Sequence, residues 1–252
     1  MKLSAVIIAY NEEEKIGLCL DSLATVADEI IVVDSHSTDR TVEICQAKGA
    51  SVISQEFLGY IEQKNFALDK ANYAFVLSLD ADEVLSEKLK DSIKKIKSNP
   101  THDAYEFNRL TNFCGKWIKH GGWYPDTKLR LWKKDLGKWA GTNPHDKVVL
   151  SAKTDVKKLD GDLLHYSIDS IEQHIEQIRK FTTIAAQAMH GKGRKSSLFN
   201  IFFNPFFKFI RDYFIRLGFL DGFYGYVIAK NSAFAKYLKY LKLYQLNKQA
   251  KK

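Results

Sequence analysis

Asp80-Ala81-Asp82-Glu83 is the run of residues best equipped for chemistry. Two carboxylates one residue apart, at the end of an apolar run, can converge on a hard divalent cation, which prefers oxygen ligands and bridges phosphates. Such an ion would offset the charge that develops on a departing diphosphate. The same four residues also suit a solvated turn leading into a helix capped by Ser86, so their neighbours must decide. Asp34 ends the apolar run 30–33 and leads into Ser35-His36-Ser37-Thr38-Asp39. A carboxylate there can accept a hydrogen bond from a base or ribose, while Thr38 or Asp39 caps the next helix. Tyr10-Asn11-Glu12 follows the first apolar run. In the helical stretch that Gly59 opens, Gln63 is placed to bond a nucleotide and Lys64 to meet a phosphate by charge.

The stretches of chain that carry these residues alternate between two periods. Residues 3–9, 29–34, 51–54 and 73–79 are apolar runs of strand length, and 12–27, 41–48 and 60–71 carry helical spacing. Apolar runs buried on both faces and separated by helices predict a mostly parallel sheet with βαβ crossovers, an α/β fold. In such sheets ligands bind outside the carboxyl ends of the strands. Tyr10-Asn11-Glu12, Asp34-Ser35 and Asp80-Ala81-Asp82 therefore reach one sheet edge. Residues 104–113, 129–133 and 147–150 read as further strands of mixed direction, with a Gly- and Trp-rich loop at 117–126. Residues 169–190 read as a helix. The Gly- and Lys-rich interval 191–197 divides a catalytic domain, 1–190, from a helical extension, 191–252.

The chain has 252 residues, 45% hydrophobic and 27% charged, which is globular rather than disordered composition. Cys19, Cys45 and Cys114 are odd in number and widely spaced, with no CxxC pair. That speaks against a disulfide framework or zinc site and fits a reducing, cytoplasmic compartment. The first apolar run is short, lacks a cleavage signature and continues into acids, so it reads as a buried strand and not a signal peptide. The net charge of +8 is unevenly spread. Residues 190–252 hold 13 Lys/Arg and 2 Asp/Glu, and the other 189 residues carry a net −3. The basic end is also aromatic, with 16 of the chain's 32 aromatic residues in 199–244. It has no run long enough to span a bilayer. It suits the surface of an anionic membrane, or packing against the catalytic domain or a second subunit in a homodimer. No nucleic-acid-binding motif accompanies it, so nucleic acid is not expected as a partner.

In order along the chain, Ala9-Tyr10-Asn11-Glu12, Val33-Asp34-Ser35, Gln63-Lys64-Asn65 and Leu79-Asp80-Ala81-Asp82-Glu83 resemble the motifs of family-2 inverting glycosyltransferases of the GT-A fold, a Rossmann-like sheet flanked by helices. Four later blocks resemble the subgroup of lipopolysaccharide-core β-1,4-glucosyltransferases. They are Gly121-Gly122-Trp123-Tyr124-Pro125-Asp126, Leu129-Arg130-Leu131-Trp132, Asn143-Pro144-His145-Asp146-Lys147 and Gly161-Asp162-Leu163-Leu164-His165-Tyr166. The similarity covers roughly residues 3–230.

The resemblance implies a UDP-sugar donor, with UDP-glucose first among the hexoses, a glycan or glycolipid acceptor, and Mn2+ or Mg2+. It assigns Ala9, Tyr10, Glu12, Asp34, Gln63, Lys64, Asp80 and Ala81 to the donor site, and Asp82 with Asp80 and His145 to the metal. Asp146 stands where relatives carry their acidic base, with Asp126 as the second candidate. Arg130 could contact the diphosphate or the acceptor, and Trp117, Trp123 and Tyr124 could either stack on sugars or pack internally. Relatives commonly have Ser-Gly-Ser where this chain has Ser35-His36-Ser37, and His-Glu where it has His145-Asp146. The implied location is the cytoplasmic face of the inner membrane, peripherally bound. Two other classes stay open at this point. A nucleotidyltransferase would need a basic, Gly-rich loop where Tyr10-Asn11-Glu12-Glu13-Glu14 stands, and a non-catalytic scaffold would have lost the acids that are present here.

Overall fold

The structure is a computed structural model. It describes residues 1–142 and 145–250. The side chains of Thr142 and His145 lie outside the described residues, as do residues 143, 144, 251 and 252. The chain forms two compact units, Met1–Arg109 with Asp126–Tyr166, and Leu110–Pro125 with Ser167–Lys252. The expected division near residue 190 does not coincide with these units. Residues 167–191 fold with the second unit, as does the loop 110–125. Helical pattern alone does not say which neighbour a helix joins.

In the first unit, β1 (Leu3–Ala9), α1 (Ile16–Leu23), β2 (Glu29–Asp34), α2 (Thr41–Ala47), β3 (Ser51–Ser54), α3 (Tyr60–Lys70) and β4 (Phe75–Asp80) alternate as the sequence predicts. Then come β5 (Glu83–Leu85), α4 (Glu87–Ser98), β6 (Ala104–Phe113), β7 (Lys116–Trp117), β8 (Asp126–Lys133), β9 (Gly137–Thr142), β10 (His145–Leu150) and β11 (Val156–Ile168). The main sheet has the order β3-β2-β1-β4-β8-β6-β11-β5. The first four strands are parallel, while β8 joins β4 antiparallel. β9 and β10 form a separate antiparallel hairpin. β6 and β11 continue past Arg109 and Tyr166 into the second unit, where β7 pairs with the end of β6.

β1 shows why the apolar run is unbroken. Leu3, Ala5, Ile7 and Ala9 enter one core with Ile16, Leu20 and Leu23 of α1 and Leu89 and Ile93 of α4. Val6 enters the other core, with Ala67 and Leu68 of α3 and Trp132 and Trp139. A strand covered on both faces needs no polar alternation. The chain begins at β1, moves outward to β2 and β3, and returns to β4 on the other side of β1. The carboxyl ends of β1 and β4 therefore flank the point where the winding reverses, which is where open α/β sheets leave a crevice.

The second unit holds α5 (Ile171–Gly191), α6 (Leu198–Ile210) and α7 (Gly222–Gln249). Its core joins Phe113, Ile118, Ile168 and Ile228, with Trp123 and Tyr224 against it. All three cysteines are free thiols.

Candidate active site

The loops after β1 and β2 are stapled to each other. Asn11 N–H donates to Ser37 Oγ at 2.9 Å, and Thr38 N–H donates to Asn11 Oδ1 at 2.8 Å. Glu12 N–H donates to Thr41 Oγ1 and Glu13 N–H to Asp39. Asp39 also accepts from Thr41 N–H at 3.0 Å, closing the start of α2 as the sequence predicts. Asp34 is buried and turns back on its own loop, accepting from Ser37 N–H at 2.9 Å and from Ser37 Oγ–H. It holds the loop in place from beneath. His36 takes φ 61°, the left-handed region that a glycine adopts freely, and its Nδ1 lies 3.0 Å from Ser54 Oγ. This is the backbone reason a glycine suits that position.

Gln63, Lys64 and Asn65 are consecutive on α3, so their side chains leave the helix about 100° apart and reach three different elements. Gln63 donates to Ser35 Oγ at 3.0 Å and to the Gln55 carbonyl at 3.3 Å. Asn65 exchanges two hydrogen bonds with the backbone of Trp139, at 2.9 and 3.0 Å, which fastens the β9–β10 hairpin to α3. Lys64, only 4% exposed, places its ammonium 2.9 Å from Asp80 and 2.7 Å from Asp146. The hairpin thus delivers Asp146 to the end of β4.

A buried charge must be paired, and here the pairing extends into a network. Arg130 Nη2 lies 3.1 Å from Asp80 and 2.7 Å from Glu83, with its guanidinium over Trp139. Lys64 lies over the same ring at 4.4 Å. Glu83 is fully buried and also accepts from the Asp80 N–H at 3.0 Å and from Arg109 at 3.4 Å. Arg109 binds Asp126 at 2.9 Å, and Lys128 binds it at the same distance. Burial by itself would raise the Asp80 carboxyl. The adjacent Lys64 ammonium and Arg130 guanidinium outweigh it and hold Asp80 well below the usual carboxylate range. The same acids, against the opposing effect of burial, hold the Arg130 guanidinium above its ordinary value.

Two cavities open on this network. The larger, about 730 Å3, is lined by Ala9, Tyr10, Glu12, Ser35, Tyr60, Asp80, Ala81, Asp82 and His165, among others. A second, about 510 Å3, is lined by Lys64, Arg109, Arg130, Trp139 and Asp146. Asp80 borders both. Of the expected donor residues, Ala9, Tyr10, Glu12, Asp80 and Ala81 meet in the larger cavity together with Asp82. Asp34 and Gln63 support its floor loops from behind, and Lys64 faces the second cavity. Asp126 is tied to Arg109 and Lys128 at the start of β8. The His145 side chain, expected on a metal, lies outside the described residues.

His165, Arg109 and Trp139 carry weight that sequence reasoning did not give them. His165 Nε2 stands 3.1 Å from Asp82 Oδ2. It gets there because β11 pairs antiparallel with β5, opposing His165 to Glu83. Gly161 makes the approach possible, with φ 102° and a backbone so close to α4 that a Cβ would lie 2.3 Å from the Leu89 nitrogen. The only sequence signal was the block Gly161–Tyr166 itself. In the second unit, Trp123 packs edge-on against Phe113 and His174, and His120 lies 3.1 Å from Asp221, so both serve internal packing.

Among the described residues, no group of three or more His, Cys, Asp or Glu is placed to hold a metal by itself. Mg2+ and similar ions bind through one or two carboxylates completed by substrate phosphates. Asp82, with Asp80 beside it on the larger cavity, fits that mode.

Residues 4–151 match glycosyl transferase family 2. An uncharacterized glycosyltransferase of Rickettsia typhi is 36% identical over 98% of this chain and 88% of its own length. The lipopolysaccharide core biosynthesis glycosyltransferase LpsC of Rhizobium meliloti is 27% identical over 97% and 93% of the two chains. Among solved structures, a mannosyltransferase of Pyrobaculum calidifontis, in complex with GDP-Man and Mn2+, superposes with a TM-score of 0.59 over 96% of this chain and 86% of its own. At 15% identity that likeness concerns the fold. With the sheet, the crevice at its reversal point and this family match in hand, the chain belongs to glycosyl transferase family 2.

Proposed function

We propose that this glycosyltransferase moves a hexose, with UDP-glucose the first donor to test, onto a sugar of a lipopolysaccharide core or a similar bacterial glycan, with inversion. The observation that carries this reading is the pair of cavities sharing Asp80, one suited to a nucleotide-sugar and the other holding Asp146. In the larger cavity Tyr10 and Tyr60 offer ring faces to a base, and Ser35 and Glu12 offer polar partners. The second cavity draws Lys64, Arg109, Lys128, Arg130 and Lys147 around Asp146, a lining suited to an acceptor bearing phosphate or carboxylate groups.

In an inverting displacement the acceptor oxygen attacks the anomeric carbon while the bond to the UDP oxygen breaks. The hydroxyl proton passes to a carboxylate. Asp146 is the first candidate to take it. Lys64 binds one of its oxygens and fixes its orientation. Asp126 is the second candidate, oriented by Arg109. Asp82, with Asp80, would hold Mn2+ or Mg2+, which when bound neutralises the diphosphate leaving group. His165, on the same cavity wall, orients Asp82 through its 3.1 Å contact.

The test is UDP release from UDP-glucose by Asp82→Asn, Asp146→Asn and Asp126→Asn, with metal supplied. Asp82→Asn is expected to lose roughly 100-fold or more. Activity kept by Asp82→Asn would sink the metal assignment, and activity kept by Asp146→Asn would move the base to Asp126. A donor screen that releases no nucleoside diphosphate from any UDP-sugar would overturn the donor class.

A further inference from the structure

The aromatic helix of the second unit is built inside out. Leu198, Phe199, Phe202, Phe203, Phe206 and Phe207 of α6 recur at i, i+1, i+4, i+5, i+8 and i+9. At 100° per residue they form one continuous face covering about half the helix circumference. Every one of them is exposed, Phe202 to 65%. A surface helix ordinarily turns such a face inward. Here the other side of α6 packs on α7 through Ile201 and its neighbours, and the apolar side is left outward. Past the helix end the exposure continues through Phe214, Ile215, Leu220 and Phe223. Scattered exposed hydrophobics need no explanation, whereas a contiguous patch of this size marks an interaction surface.

The charges around the patch identify its occupant. Residues 190–250 contain two acids, Asp212 and Asp221, and both are buried. Asp212 is bonded by Lys208 and Arg211, and Asp221 accepts the backbone N–H groups of Lys119 and His120. No carboxylate of this stretch faces solvent, while Lys192, Arg194, Lys195, Arg211 and Arg216 are exposed. An uncharged aromatic face on a stretch of chain whose solvent-facing charges are all cationic matches an anionic lipid surface, whose acyl region takes the rings and whose headgroups take the cations. A second copy docked face to face would bring two stretches of like, cationic charge together, with repulsion in place of attraction. Among the described residues, no helix is long and apolar enough to cross a membrane, so the helix would lie in the interface.

We infer that α6 and the segment 211–223 form an interfacial anchor that binds anionic bilayers by inserting its phenylalanines below the headgroups. The inference is independent of which donor or acceptor the enzyme uses. The test is co-sedimentation of the full chain with vesicles of phosphatidylcholine alone and with about 30 mol% phosphatidylglycerol. Binding is expected with the anionic vesicles and is weakened at about 0.5 M salt. Phe202→Asp with Phe206→Asp, at exposed positions, is expected to lower partitioning at least roughly tenfold with an unchanged circular dichroism spectrum. Lys192→Glu with Lys195→Glu is expected to weaken binding to anionic vesicles only. No sedimentation of the wild-type chain with anionic vesicles would overturn the inference. So would a Phe202→Asp, Phe206→Asp chain that still binds vesicles but changes from dimer to monomer by light scattering, because the face would then belong to a second copy.

Discussion

Replacing Lys64 by Met tests the charge network most directly. The substitution keeps an unbranched apolar stem over Trp139 and removes the ammonium that serves Asp80 at 2.9 Å and Asp146 at 2.7 Å. Breaking a buried pair by deleting one partner costs about 3–5 kcal/mol. The lower end applies, because the Asp80 side chain keeps 27% exposure and water can partly replace the lost partner. For a chain of this size, about 3 kcal/mol lowers Tm by roughly 6–12 °C. The sign with pH is also fixed. Asp80 titrates lower in the folded state than in the unfolded one. Its ionised form therefore stabilises the fold fully above about pH 4, and this contribution is lost as pH falls further. Lys64→Met removes one of the two cations responsible. The gap between wild type and variant should be widest at neutral pH and should narrow below about pH 4. Thermal melts by circular dichroism between pH 3 and pH 7 measure this. A Tm within about 2 °C of wild type at pH 7, or a gap that stays constant into acid, would show that Lys64 does not hold these carboxylates.

Two further outcomes follow from the packing. His174 is buried between Phe113 and Trp123, and burial pushes its imidazole down to about 4. The unfolded chain takes a proton near pH 6.5 that the folded chain refuses. Stability should thus fall by about 3 kcal/mol between pH 6.5 and pH 4. A His174→Gln chain with the same acid slope in denaturant titrations would contradict this. Gly161→Ala would drive a Cβ to 2.3 Å from the Leu89 nitrogen at a backbone φ of 102°. It should cost roughly 2–4 kcal/mol by urea unfolding, and a loss under about 1 kcal/mol would show that α4 yields easily.

The parallel half of the sheet was legible in the amino-acid order, because strands buried on both faces leave unbroken apolar runs such as Leu3–Ala9. That order also established that Tyr10, Asp34 and Asp80 stand at the carboxyl ends of strands along one sheet edge, since strand ends and helix starts have local signals. It could not reveal that Lys64 is buried. A lysine on a helix looks solvated until the β9–β10 hairpin, 82 residues on at Asp146, closes over it. Nor could it supply the partners of Asp80 and Asp82. Arg130 and His165 arrive on β8 and β11, whose places in the sheet are set by antiparallel register between distant segments. The basic, aromatic character of residues 199–244 was plain from composition. Which face of α6 packs inward and which stays outside was a tertiary decision, made by where α7 lies, and it left the phenylalanines uncovered.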